Sequence, residues 1–249
     1  MPRFQAHFTQ NTESIVPSPE SVPSLGIALS YRPVALARES PRRGATMHFV
    51  AAFNAYSEVT VVPRIAVRLP LALPEPDGFE IARPETWPGV TGRLEYVSGR
   101  LEYMPPCGEV QQRTVADVIT ELNLWRRQHP EFAVGGNEAG MLLGGEVRAA
   151  DAAVWRGAGR AHEGFARAAP ILAVEVASVD DHPDALLDKA RWYLTHGVET
   201  VWIVLPQLRR VRVVTAAGIA EVDSAERLPE PESLTGLAPF VGDFFRQLA

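Results

Sequence analysis

From residue 91 onward, apolar and polar positions alternate in short blocks that predict discrete elements. Arg93–Val97 and Arg100–Met104 read RLEYV and RLEYM around Ser98-Gly99. Period-two alternation across a two-residue loop containing glycine predicts a β-hairpin. Leu94, Tyr96, Leu101 and Tyr103 then share one face, and Glu95 lies opposite Glu102 on the other. Over residues 109–128 the period changes: Val115, Val118, Ile119, Leu122 and Trp125 recur at helical spacing, and Pro130 stops the helix. Residues 132–134, 140–143 and 148–155 read as strands, and 171–177 (ILAVEVA) as a buried one. Pro183 suits the first turn of a helix that runs to His196 and stops at Gly197. Residues 199–205 form another apolar strand, 209–215 and 219–222 a closing hairpin, and 240–248 a short helix. This order describes an α/β domain, a central sheet with a helix on each side.

Before residue 91 the pattern is poorer. Twelve of the 21 prolines fall there. Residues 1–46 mix Pro, Ser, Arg and Gln with no sustained period, which reads as a disordered extension, or as an over-extended gene start with Met47 as the initiator. Residues 47–90 form a lead-in with strand-like pieces at 58–62 and 65–73. The domain proper spans 91–249.

The 249 residues suit one large domain with a sizeable core. A single cysteine, Cys107, excludes an internal disulfide and a cysteine-rich zinc site. No apolar run approaches the ~20 residues of a membrane span, and no signal sequence is evident. The expected location is the cytoplasm. A net charge of −6 argues against coating nucleic acid through bulk charge, but leaves room for a local cationic site. Of the 24 basic residues, Lys189 is the only lysine. In a chain that uses arginine almost everywhere else, that position is a candidate for a role a guanidinium cannot fill.

Two carboxylates stand out. Asp151 lies in RAADAAVW and Glu175 in ILAVEVA, each in the middle of a strand. A carboxylate there is costly unless it is paired or binds a metal. Each could instead face solvent on an edge strand or pair with Arg148 or Arg191. Two together, followed by the sole lysine, favour a site for a hard divalent cation such as Mg²⁺ or Mn²⁺. Lys189 falls at the border of the apolar stripe Leu186, Leu187, Ala190, Tyr193 and Leu194, from which its stem can reach into a cleft. The six histidines show no zinc spacing, and Ser178 lacks a nucleophile-elbow context. The glycine pairs 135–136 and 144–145 read as loop glycines. Arg209, Arg210 and Arg212 read as a solvated strand face or a phosphate-contacting rim.

Taken in order, these pieces resemble the Uma2 family of restriction-endonuclease-like proteins in the PD-(D/E)XK nuclease superfamily, over residues 93–214. RLEYVSGRLEYMPP resembles the family's hairpin, RAADAAVW its metal-binding strand and ILAVEVAS its Glu-Val strand. DKARWYLTHGVETVWIV is the closest piece, with Lys189, Tyr193, Gly197-Val198 and Trp202 in register. The resemblance implies a restriction-endonuclease-like core, a central mixed sheet flanked by helices. It implies Mg²⁺ or Mn²⁺ held by Asp151, Glu175 and the main-chain carbonyl of Val176. Lys189 becomes the catalytic lysine, carried on the helix rather than two residues after Glu175, where Ala177 stands. Glu95 becomes a further acidic site residue. The implied activity is phosphodiester hydrolysis in nucleic acid, DNA first, by an endonuclease acting as a homodimer. The alternative is a catalytically inactive member that binds nucleic acid or protein; a small-molecule phosphodiesterase is a third reading. The chain departs from the family pattern at Ser98 (usually Asp), at Val110-Gln111-Gln112 (usually a His), at Ala150 (often Pro) and at Leu205-Pro206 (usually Asp-Pro).

Overall fold

The computed structural model describes residues 69–157, 164–179 and 181–248. The expected extension 1–46 and the strand-like piece 58–62 lie outside them. Of the piece at 65–73, Leu71–Leu73 forms β1 and pairs with the hairpin strand Arg100–Met104.

The described residues form a sheet of nine strands. The hairpin is β2 (Arg93–Val97) and β3 (Arg100–Met104), with Glu95 opposite Glu102 as expected. Ser98 and Gly99 both take positive φ, 50° and 76°, the twist that a two-residue hairpin loop needs. Helix α1 (Glu109–Arg126) follows, then β4 (Phe132–Leu143) and β5 (Glu146–Arg156). β6 (Leu172–Val176), α2 (Pro183–Thr195) and β7 (Thr200–Leu205) form a strand–helix–strand crossover whose strands pair in parallel. β8 (Arg210–Thr215) and β9 (Gly218–Asp223) close the sheet, and a 3₁₀ segment, Val241–Leu248, packs against α1.

Two sequence expectations change. The segments at 132–134 and 140–143 are one strand, interrupted by a register shift between Gly136 and Ala139. Gly135 and Gly136 therefore lie in β4, not in a loop. A Cβ at Gly135 would press on the Trp155 ring, and one at Gly136 on Ile119, so the glycines mark close approach. The arginine stretch near 210, by contrast, keeps its strand-face reading: Arg210 bonds Glu221 and Asp223, and Arg212 bonds Glu221, across to β9.

The two faces of the sheet follow from strand alternation. Leu172, Val174 and Val176 of β6 turn toward α1, into a core with Val118, Leu122, Trp125, Trp202 and Phe244. Ala173 and Ala177 turn toward α2, with Leu186, Ala190 and Tyr193. Glu175 shares the parity of that second set, so its strand position directs it to α2.

A strand has two edges, and β4 runs along one edge of β5. The other edge is shared. Tyr96 of β2 pairs with Val147 near one end, and β6 pairs with Ala152, Ala153 and Val154 near the other. Between these contacts the strands fork, and side chains rather than a ladder meet the β5 backbone.

Candidate active site

Asp151 and Glu175 face each other at that fork. The last β5–β6 rung is Ala152↔Val174, so Asp151 and Glu175 form the next step, where the ladder opens. Asp151 Oδ2 accepts the Val176 backbone N–H at 2.7 Å, standing in for the missing ladder bond. The fork also exposes the backbone of Ala149. Its N–H donates to Glu95 Oε1 at 3.2 Å, and its carbonyl accepts from Lys189 Nζ at 2.9 Å.

Lys189 ties the elements together. From α2 it donates to Glu95 Oε1 on β2 at 2.9 Å, and Nζ lies 3.1 Å from both carboxylate oxygens of Glu175 on β6. With the Ala149 carbonyl, all three ammonium protons have acceptors. Tyr193, one turn along α2, donates its hydroxyl to Glu175 Oε1 at 2.8 Å. Arg93 lies 3.6 Å from Glu95 and 3.8 Å from Asp151, ion-pair rather than hydrogen-bond distances. Gln111, in the first turn of α1, donates its amide to the Val176 carbonyl at 2.9 Å.

The structure thus brings Asp151, Glu175, Lys189, Glu95 and the Val176 carbonyl to one place. They line a cleft of about 410 Å³ together with Arg93 and Gln111. Its outer wall includes Pro70, Met104, Pro105 and Leu186, and Asp181 and His182 stand at the entry to α2. Sequence reasoning missed three participants. Tyr193 is visible in the sequence as part of an apolar stripe and in register with Lys189, with no role at the site; Arg93 is visible only as a hairpin residue, and Gln111 only as one of the stretch Val110-Gln111-Gln112.

Electrostatics divide the carboxylates. Burial pushes the Glu175 carboxyl up to about 7, although Lys189 opposes the rise. Burial also raises Asp151, against the pull of the Val176 N–H, Arg93 and Lys189. Burial acts on Glu95 too, but the Lys189 ammonium and Arg93 outweigh it and hold the group below the usual range. Burial would lower Lys189, yet Glu175 and Glu95 raise it above its ordinary value, so it stays an ammonium at neutral pH. Burial, then Glu175, drives the Tyr193 phenol well up, so it remains a hydrogen-bond donor.

Among the described residues, no group of three or more His, Cys, Asp or Glu side chains is arranged as a ready-made metal cluster. The oxygen donors present are two carboxylates and a main-chain carbonyl. They suit a hard cation, and both carboxylates carry a burial cost that such a cation would relieve.

The family model Uma2, described as "Putative restriction endonuclease", matches residues 57–248. Among solved structures, the chain is similar to one titled as a putative nuclease belonging to DUF820 from Anabaena variabilis ATCC 29413. The TM-score is 0.59 at 18% identity, over 66% of this chain and 96% of that one. At that identity the likeness speaks to the fold. No curated protein matches the chain. No helix among the described residues is long and apolar enough to cross a membrane.

Proposed function

The chain belongs to the Uma2 family, and on that premise we propose that it is a nuclease dependent on Mg²⁺ or Mn²⁺, hydrolysing phosphodiester bonds, with DNA the first substrate to test. The observation that carries this reading is the convergence of Asp151, Glu175 and Lys189 at the fork between β2, β5 and β6. Asp151, Glu175 and the Val176 carbonyl would hold the cation. When bound, it would supply Lewis-acid charge to a phosphate oxygen and lower the pKa of a water.

The side chains carry the rest. Lys189 stays protonated, so it serves as a donor and a fixed positive charge, not as a base. To reach a water or a phosphate oxygen it must release one of its three present acceptors. Glu95 holds the ammonium in the cleft in the meantime. Gln111 and the Asp151–Val176 bond keep the β6 end, with its carbonyl, at the mouth of the fork.

A second reading, a catalytically silent binding module, draws on two observations. All three Lys189 protons are already satisfied, and Val110-Gln111-Gln112 occupy the stretch where the family that the sequence resembles usually carries a histidine. Plasmid nicking separates the two. With Mn²⁺ or Mg²⁺ the wild-type chain should nick supercoiled DNA and stop in EDTA, and Lys189→Ala should lower the rate by about 100-fold or more. If Asp151→Ala and Lys189→Ala nick as fast as wild type, the nuclease reading fails. If no preparation nicks yet DNA binding persists in EDTA, the binding module takes its place.

A further inference from the structure

Tyr193 is fully buried in the core between α2 and the sheet. Phenylalanine would fill the same space. What distinguishes tyrosine is its hydroxyl, which is costly to bury without a partner. Here the partner is Glu175 Oε1, at 2.8 Å.

The contact belongs to a two-point grip. Lys189 and Tyr193 are four residues apart, so they project from the same face of α2 one turn apart. Both reach Glu175. The ammonium lies 3.1 Å from each carboxylate oxygen, and the phenol donates to one of them. Two donors from one rigid helix fix both the rotamer of Glu175 and the plane of its carboxylate. The phenol's contribution does not depend on where the lysine points. If Lys189 releases Glu175 to engage substrate, Tyr193 still holds the carboxylate in place.

We propose that Tyr193 is a positioning residue, whose hydroxyl aims the Glu175 carboxylate so that it can hold a divalent cation. The proposal rests on the metal-dependent nuclease reading. Hydrogen bonds to a ligating carboxylate typically govern metal affinity by 10–100-fold.

The test is Mn²⁺ binding to the full chain, measured by calorimetry or by the free-ion EPR signal, for wild type and Tyr193→Phe. The variant should bind Mn²⁺ about 10- to 100-fold more weakly, while still unfolding cooperatively with a melting temperature only a few degrees lower, the cost of one buried hydrogen bond. Its nicking rate should recover at saturating Mn²⁺, a rescue that a packing defect would not show. Tyr193→Met also lacks the hydroxyl and serves the same comparison if the phenylalanine variant does not fold. Equal Mn²⁺ affinity in wild type and variant overturns the positioning role while leaving the metal site standing. Absence of Mn²⁺ binding to wild type overturns both together, so the two failures are distinguishable.

Discussion

Lys189 and Glu95, 94 positions apart in sequence, form an ion pair of 2.9 Å across the fork in the sheet. Neither side chain is more than about one-eighth exposed. The pair joins α2 to the hairpin and fills a gap in the β5 ladder through both polar groups of Ala149.

Removing one partner of such a pair leaves a buried charge short of its complement. Glu95→Ala should therefore cost about 3 kcal/mol of stability, the lower end for a broken buried pair, because Glu175 still faces the lysine. Glu95→Ala combined with Lys189→Met should cost less than the sum of the two single changes. Urea unfolding of the four proteins measures this. Additive losses would mean the pair is not coupled.

Stability against pH reports on Glu175. Its folded pKa, about 7, lies above its unfolded value of 4.5. The folded protein keeps a proton that the unfolded chain releases. This contribution is fully present below pH 4.5 and is lost as pH rises toward 7. Asp151 is shifted in the same direction. In EDTA the wild-type melting temperature should fall relative to Glu175→Gln between these pH values. Mn²⁺ needs the ionised carboxylate, so its stabilising effect should grow over the same range. Parallel wild-type and Glu175→Gln curves in EDTA would remove the assignment.

Gln111 donates to a carbonyl in the cleft. Gln111→Ala leaves the Val176 oxygen to water, a loss of about 1 kcal/mol, or about 2–4 °C in a chain of this size. Thermal melts check this. A variant that loses most of its stability would show that Gln111 supports the α1 packing rather than the carbonyl alone.

Local pattern made much of the fold legible. RLEYV-SG-RLEYM encodes both a period and a turn, so β2, β3 and their register follow directly. α1 and α2 follow from their apolar stripes and stop residues. In sequence β4 reads as two pieces because Gly135 and Gly136 look like loop punctuation, whereas in the fold they make room for Trp155 and Ile119. In the site, Asp151, Glu175 and Lys189 announce themselves as charges in apolar or lysine-free surroundings. Tyr193 does not, since a tyrosine in an apolar stripe looks like packing until a carboxylate is seen at its hydroxyl. Arg93 and Gln111 depend on which strands share the β5 edge, a long-range fact that no local spacing encodes.

The most direct measurement is a crystal of the full chain soaked in Mn²⁺ and examined by anomalous diffraction. The account predicts one peak at the fork, with carboxylate oxygens of Asp151 and Glu175 and the Val176 carbonyl at about 2.1–2.3 Å, the range for hard cations of this size. No peak at the fork, with Lys189 still bridging Glu95 and Glu175, or a peak held by other residues, would contradict it.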